Sequence, residues 1–271
     1  MSAAVAYADS ALAILQRDFR LAWSYRFRFF SRYLSTLFSL ALFYYVSRMV
    51  SGGAGFESSD EYYAFAVIGI IILQVLTSVL AMPPMNLRQE LVMGSWERTV
   101  VSPLGPVAGV LGMMAFPFLQ AAVSAVVTLV FAALFFGIDV AWATAPLALP
   151  VALLGAVAFL PFGILLVAGV LAFKQASMGA SYIITAISLV GGLYFPVALL
   201  PDWIEWTSQV QPFTPAADLL RHLILGTDIP SDPWLDVAKL TGFALVLLPL
   251  SVAGLRLVLE RVRRTGTIVE Y

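Results

Sequence analysis

The chain has 271 residues, of which 61% are hydrophobic and 11% are charged, and its formal net charge is −1. A soluble domain carries about 25% charged residues, so these few charges exclude a water-soluble fold and predict an integral membrane protein. The absence of cysteine excludes disulfides and thiolate chemistry, and the single histidine, His222, excludes a histidine-rich metal site.

Residues 11–31 are expected to form an amphipathic helix on the membrane surface. Aromatic and aliphatic side chains recur there at helical spacing, and the arginines fall mostly on the other side of the helix. That pattern is typical of helices that lie in the plane of the interface. A soluble helix packed on another domain is the alternative, but the sequence offers no second domain to receive it.

Six stretches are long and apolar enough to cross a bilayer, whose core requires about 20 mainly apolar residues per helix. Pro83 and Pro84 are expected to end the second span, and Pro117 to kink the third. The predicted spans lie near residues 32–50, 62–85, 105–136, 146–172, 177–199 and 236–259. No repeat or linker interrupts them, so we predict one all-α membrane domain over residues 1–271.

The stretch between spans five and six, residues 196–235, is rich in proline and aromatic residues. It predicts two short amphipathic helices around 202–209 and 215–225, capped by Asp202 and Thr214. Both are too short to cross a bilayer, so we expect them to re-enter the membrane from the outer side.

The charge distribution predicts that both termini are cytoplasmic. Basic residues concentrate on the cytoplasmic side of membrane proteins. With six spans, every lysine and arginine except Arg48, Arg221 and Lys239 falls on the side that carries the termini. The acidic loops then lie outside.

The sequence predicts neither catalytic residues nor a metal site. It contains no HExxH or GxSxG pattern, and a P-loop needs a Gly-Lys-Ser/Thr turn, whereas Lys174 and Lys239 follow Phe173 and Ala238. We therefore expect no ATP or other cofactor on this chain. The span interiors hold few polar groups besides hydroxyls, Gln74 and Gln120, which argues against ion coupling.

A charged, turn-rich segment, residues 88–104, joins spans two and three on the predicted cytoplasmic side. It predicts a short helix around 86–92, then a break at Gly94 and Ser95. Its two glutamates and two arginines are unnecessary for a mere connection. Composition alone leaves two interpretations open: a solvated loop, or a site where a partner docks.

The run E-x-x-x-G-S-W-E-R-x-x-x-S-P-L, from Glu90 to Leu104, resembles the cytoplasmic loop of type-2 ABC transporter (ABC-2) permeases, E-x-x-x-G-T-L-E-x-L-x-x-T-P. Serine stands here for the usual threonines and tryptophan for the usual leucine. The stretch from Gly191 to Gly226 is similar to the second hallmark of the family. That hallmark comprises a Gly-aromatic-Phe-Pro turn, Leu-Pro-x-Trp, Asn-Pro-x-Thr and Leu-Arg-x-x-x-x-Gly, with Gln211 here in place of the asparagine.

The resemblance implies a permease subunit of an ATP-driven exporter. Two permeases, as a homodimer, would pair with two ATP-binding subunits that carry the ATP and Mg²⁺. Segment 88–104 would dock on the ATPase as a coupling helix, with Trp96 as an apolar anchor, and residues 172–179 would make a second contact. The implied coupling residues are Glu90, Gly94, Ser95, Trp96, Glu97, Arg98, Ser102, Pro103 and Lys174. The implied exit residues are Phe195, Pro196, Pro201, Trp203, Pro212, Thr214 and Arg221.

The expected cargo follows from the family resemblance and from the charge content of the spans. The family exports drugs, lipids and lipid-linked polysaccharides, and the scarcity of charge in the spans favours a hydrophobic or amphiphilic compound. The resemblance implies a bacterial inner or plasma membrane and no nucleic-acid partner. An ion-coupled secondary transporter of an amphiphile is the main alternative, and a membrane-embedded enzyme is a third hypothesis.

Overall fold

The computed structural model describes residues 16–17, 19–20, 24, 26–49, 56, 58–102, 105–173, 177–229 and 231–265, and these ranges contain helices and no strand. A π-helical turn, Thr77–Ala81, joins α2 to α3, and a 3₁₀ turn, Val197–Leu199, precedes α8. The α-helices are α1 Arg26–Met49, α2 Ser59–Leu76, α3 Met82–Val92, α4 Trp96–Val101, α5 Gly105–Phe136, α6 Ala145–Phe173, α7 Ser177–Val190, α8 Asp202–Gln209, α9 Phe213–Leu225 and α10 Pro233–Thr265.

Four helical segments are long and apolar enough to cross a membrane: Ser59–Val92, Gly105–Phe136, Ala145–Phe173 and Pro233–Arg264. They confirm the predicted second, third, fourth and sixth spans. The second continues through Pro83 and Pro84 to Val92, so the prediction that the two prolines end it was wrong. A chain with four such helices is a multi-pass membrane protein.

The first and fifth predicted spans are not among these four helices. α1 has 24 residues, about 36 Å of helix, but its serines, tyrosines and arginines keep it below the apolarity of the other four. Residues 26–31, predicted to belong to a separate surface helix, form the first turns of α1 instead. Residues 16–17, 19–20 and 24 are helical, and the rest of the predicted surface helix before α1 lies outside the described residues.

The fifth predicted span ends nine residues early, at Val190 rather than 199. Gly192 has a φ of +67°, a left-handed conformation that favours glycine and stops the helix. The 14 residues of α7 cover only about 21 Å. The chain then turns through residues 191–196.

The π-helical turn explains how the second span passes its two prolines. Proline has no N–H, so Pro83 and Pro84 cannot donate to the carbonyls of Val79 and Leu80 one turn earlier. The wider turn closes instead through the Met82 N–H, which donates to the Thr77 carbonyl. Gly163 of α6 lies directly against this turn, because a Cβ there would overlap the Val79 carbonyl oxygen.

The helices pack around two apolar clusters at opposite ends of the molecule. We call the end that carries residues 86–102 the proximal end, and the end that carries residues 137–144 and 191–201 the distal end. α6 runs between them and contacts α3, α9 and α10. The proximal cluster contains Leu87, Leu91, Trp96, Val110, Met113, Met114, Ile164, Val167 and Leu255. The distal cluster contains Tyr63, Ile68, Leu193, Phe213, Leu220 and Leu240.

A buried polar network joins α1, α2 and α5 between these clusters. The Gln74 amide donates to the Thr36 hydroxyl at 3.3 Å and accepts from the Thr128 hydroxyl at 3.0 Å. One turn away, the Arg32 guanidinium donates to Ser78, at 3.0 Å, within the π-helical turn. Such bonds between membrane helices fix their register and add about 0.6 kcal/mol each.

Candidate functional site

The described part of segment 88–104, residues 88–102, folds as a helix, a tight turn and a second short helix. α3 ends at Val92, and Gly94 adopts a φ of +67°, a conformation that favours glycine over other residues. The Ser95 N–H then donates to the Glu90 carbonyl at 3.0 Å, and α4 follows. The predicted break at Gly94 and Ser95 is therefore confirmed. Residues 86–92 are helical as predicted, but they continue α3 and the second span rather than forming a separate short helix.

The Trp96 side chain points into the protein. It is 1% exposed and belongs to the proximal cluster. Gly109 at the start of α5 permits this packing, because a Cβ there would overlap the Thr99 side chain and lie 3.9 Å from the Trp96 ring. The anchoring contact that the resemblance implied for Trp96 is thus not available to it in this structure. The indole instead fixes α4 to α5.

Glu90 is also engaged within the chain. Its carboxylate lies 3.1 Å from the Arg17 guanidinium, and the Glu90 side chain is mostly buried whereas that of Arg17 is half exposed. This ion pair connects the residues before α1 to segment 88–104.

The exposed surface of the segment combines charge with apolar side chains. Glu97 and Arg98 are exposed, and Met93 and Val101 are 78% and 83% exposed. Glu97 and Val101 are four residues apart on α4 and share a face, which is adjacent to the face of the buried Trp96. We call Val92, Met93, Glu97, Arg98 and Val101 the α3–α4 surface.

The sequence analysis did not predict the apolar residues of the α3–α4 surface, because it assigned the apolar contact with a partner to Trp96. Helical periodicity would have separated Trp96 from the exposed surface, because Trp96 and Val100 share one face of α4 and Glu97 and Val101 share the adjacent face. The Ser102 hydroxyl, also a predicted coupling residue, donates to the Thr99 carbonyl at 2.8 Å and closes α4. Pro103 and Lys174 lie outside the described residues.

Replacing Trp96 with alanine is expected to lower the free energy of unfolding by about 3–5 kcal/mol, the usual loss for a buried tryptophan. The reason is the cavity left between α4 and α5. Thermal unfolding of the purified protein, monitored by the loss of its size-exclusion peak, measures this change. Met93→Ala is the matched control, and its free energy of unfolding is expected to lie within about 0.5 kcal/mol of that of the original protein. Equal effects of the two variants would contradict the packing role of Trp96.

At the distal end, the turn at residues 191–196 is wedged between α2 and α9. Gly69 of α2 lies against it so closely that a Cβ would overlap the Leu193 carbonyl oxygen. On the other side, the Thr214 hydroxyl donates to the Gly191 carbonyl at 3.4 Å and accepts from Gln211 at 3.2 Å.

The predicted caps of the two short helices were wrong. α8 begins at Asp202 after Pro201, and α9 begins at Phe213 after Pro212, with no side-chain cap in either case. The Thr214 hydroxyl does not cap α9, because it donates to the Gly191 carbonyl in the 191–196 turn instead. Of the predicted exit residues on these helices, Pro212 is buried, whereas Pro201 and Trp203 are exposed.

Arg221, also on α9, makes a further contact with the same turn. Its guanidinium donates to the Gly192 carbonyl at 2.8 Å, pairs with Asp218 at 3.3 Å and lies 3.5 Å from the centre of the Phe65 ring. The residue is only 5% exposed. Burial lowers the pKa of Arg221 to about 10, against the opposing effect of Asp218, so the group stays charged at neutral pH. Arg221 is therefore a buried cation stabilised by a carboxylate, a carbonyl and an aromatic face.

A cavity of about 650 Å³ opens at the distal end, between the start of α2, the end of α5, the 191–198 turn and the end of α9. Pro196 and Arg221 are the predicted exit residues on its wall. The half-buried Phe195 lies next to Pro196. The wall also carries Arg48, Asp60, Glu61, Asp139, Asp218 and Asp228, which the sequence did not bring together.

No group of acidic residues or histidine that could hold a metal ion occurs within the described ranges. His222 closes α9, where its ring nitrogen lies 2.8 Å from the Thr227 carbonyl and its own carbonyl accepts from Gly226. That is a structural role at a helix end. It offers no support for the hypothesis of a membrane-embedded enzyme.

Comparison with known families gives one result that covers most of the chain. Residues 10–225 match the model of the ABC-2 type transporter family, a range that includes both segments with the family resemblance, up to Leu225. The search of curated proteins finds no match. Because the matched range exceeds half of the 271 residues, the chain belongs to the ABC-2 type transporter family.

Proposed function

We propose that this chain is the permease subunit of an ATP-driven exporter, and that a separate ATP-binding subunit docks on the α3–α4 surface. ABC-2 membrane domains are transport subunits without catalytic activity of their own, and they generally partner with an ABC ATP-binding subunit. The observation that carries the proposal is the exposure of Met93, Val101, Glu97 and Arg98 on one side of the proximal end. Apolar side chains flanked by charges are typical of a docking site.

The packing beneath the α3–α4 surface suits the transmission of force. Trp96 fixes α4 to α5, and α3 continues into the π-helical turn and α2. A displacement of the α3–α4 surface would thus move two spanning helices together. The π-helical turn and the two prolines after it are the point where the second span can bend, since both features locally weaken the helical hydrogen bonding.

The rest of the assembly follows as part of this proposal. Two copies of the chain would form the path, with both termini cytoplasmic in a bacterial inner membrane and the distal end outside. Residues 172–179 would make a second contact with the ATPase, and residues 202–225 would line the exit from their re-entrant position. The cargo would be an amphiphile such as a drug, a lipid or a lipid-linked polysaccharide.

The test exchanges the exposed charges of α4. Glu97→Lys combined with Arg98→Glu keeps the net charge and both helices but reverses the charge pattern that a partner would meet. When the protein is co-reconstituted with an ATP-binding subunit from the same genome, we expect cargo-stimulated ATP hydrolysis to fall at least tenfold, as expected for the loss of interface charge pairs worth about 1.4 kcal/mol or more.

The matched control is Glu260→Lys with Arg264→Glu, an equivalent exchange of exposed charges at the proximal end of α10. We expect normal stimulation in this variant. Equal stimulation in both variants would refute docking on the α3–α4 surface. Export from proteoliposomes that lack any ATPase, abolished by collapsing the proton gradient, would favour the secondary transporter instead.

A further inference from the structure

The distal cavity has an excess of negative charge. Five carboxylates and two guanidinium groups line it. Two of the carboxylates are neutralised by neighbours, since Asp60 lies 3.0 Å from Arg48 and Asp218 lies 3.3 Å from Arg221. Asp139 and Asp228 give the cavity a negative potential, which attracts cations into a partly enclosed space.

Two of those carboxylates are placed to meet a ligand. Asp139 follows α5 and Asp228 follows α9, and both are exposed and line the cavity. Neither has an ion pair or a side-chain hydrogen bond among the described residues. Exposed carboxylates in a cavity, without a basic neighbour, are free to pair with a cationic group that enters.

The deeper wall offers hydrogen-bond donors. Tyr63 is 1% exposed, lines the cavity and has a hydroxyl with no hydrogen-bond partner in the described part of the chain. Arg221 lines it too, and its Nε is likewise buried without a partner. A buried donor without an acceptor is unfavourable by about 1–3 kcal/mol. A ligand that brings oxygen atoms to this wall would supply the acceptors.

The remaining surface of the cavity is apolar and aromatic. Phe65, Phe136, Ile138, Val197 and Ile229 contribute to it. Aromatic faces attract organic cations, as Phe65 already does with the Arg221 guanidinium. The wall thus combines negative charge, hydrogen-bond donors and apolar surface, which together fit neither a metal ion nor an anionic amphiphile.

We propose that the distal cavity binds the polar end of a cationic amphiphile, a compound with an ammonium group next to hydroxyl or carbonyl oxygens on an apolar body. The ammonium group pairs with Asp139 and Asp228, the oxygens accept from Tyr63 and Arg221, and the apolar body lies on the aromatic wall. This rests on the proposed export function, in which the cavity lies at the outer end of the path and receives the cargo.

The test uses dansylcadaverine, a fluorescent aromatic compound with a primary ammonium group and sulfonyl oxygens. Its binding to the full-length protein in neutral maltoside micelles is followed by fluorescence anisotropy. We expect the N-acetylated derivative, which has lost the charge, to bind at least fivefold more weakly. Asp139→Asn with Asp228→Asn is expected to weaken binding of the amine roughly fivefold, in line with two partly exposed charge pairs, and to leave the neutral derivative unaffected.

The matched control is Asp202→Asn with Glu205→Gln, which removes two charges from α8, outside the cavity wall. We expect unchanged affinity for the amine in this variant. Equal binding of the amine and its acetylated derivative, or equal affinity in both double variants, would overturn the proposal. Since this assay contains no ATPase, its failure leaves the docking test on Glu97 and Arg98 untouched, and failure of the docking test leaves this one untouched.

Discussion

Gly69→Ala is expected to lower the melting temperature by roughly 10 °C, corresponding to about 3 kcal/mol in a chain of this size. A Cβ at this position would overlap the carbonyl oxygen of Leu193 and lie 2.8 Å from its carbonyl carbon. Both are backbone atoms, and Leu193 is fully buried, so no flexible side chain can move aside. The turn at residues 191–196 would have to leave α2.

The control for this prediction is Gly242→Ala in α10, where a Cβ meets nothing within 4 Å. Alanine favours a helix over glycine by about 1 kcal/mol, so this variant should melt at or slightly above the temperature of the original protein. Tryptophan fluorescence during heating in detergent measures both. Equal melting temperatures for the two variants would show that the turn does not depend on its close approach to α2.

The contrast between these two glycines marks what the sequence could and could not predict. Apolar length predicted six spans, and the structure confirms four of them, because length and composition are local properties. Pro83 and Pro84 misled the prediction of where the second span ends. Leu193 and Gly69 are more than a hundred residues apart in the sequence, so no local signal predicts their close approach. The left-handed turn at Gly192 does have a local signal, the pair Gly191 and Gly192, but apolar length alone carried the fifth predicted span past it.

The candidate site divides in the same way. The break at Gly94 and Ser95 was predictable from the residues themselves. The direction of Trp96 was not, since a large aromatic residue in a short charged segment is compatible with an interface anchor or with a core contact. Only the position of Gly109 and the proximal cluster decides between them. Thr214 failed as a predicted cap for a related reason, because its hydroxyl bonds to Gly191, 23 residues away.

The second span therefore makes close backbone contacts at two points along its length, one with the distal turn and one with α6. Gly163 lies against the π-helical turn, and Gly69 lies against Leu193. A bend at the π-helical turn would leave the contact at Gly69 intact only if the distal half of α2 moved together with the 191–196 turn. The distal cavity, formed by these same elements, would then change shape with them.

Arg221→Met is expected to lower the free energy of unfolding by about 3 kcal/mol at pH 8. Removing one member of a buried ion pair leaves the other uncompensated, here Asp218, and the Gly192 carbonyl also loses its donor. Arg48→Met is the matched control, because Arg48 pairs with Asp60 on the exposed surface. We expect a change below about 1 kcal/mol there. Thermal unfolding of both variants under the same conditions makes the comparison.

The loss in Arg221→Met is expected to depend on pH. Burial raises the pKa of Asp218, while Arg221 opposes that shift, and the weaker effects of Asp236 and Lys239 oppose each other. Without Arg221 the pKa rises further above its value in the unfolded chain, so stability is retained at low pH and lost as pH rises through the folded-state pKa. The deficit should therefore be smaller at pH 5 than at pH 8. Adding Asp218→Asn to Arg221→Met should restore part of the stability and remove its pH dependence. If Arg221→Met instead loses the same free energy of unfolding at pH 5 and pH 8, Arg221 acts only through its hydrogen bond to the Gly192 carbonyl.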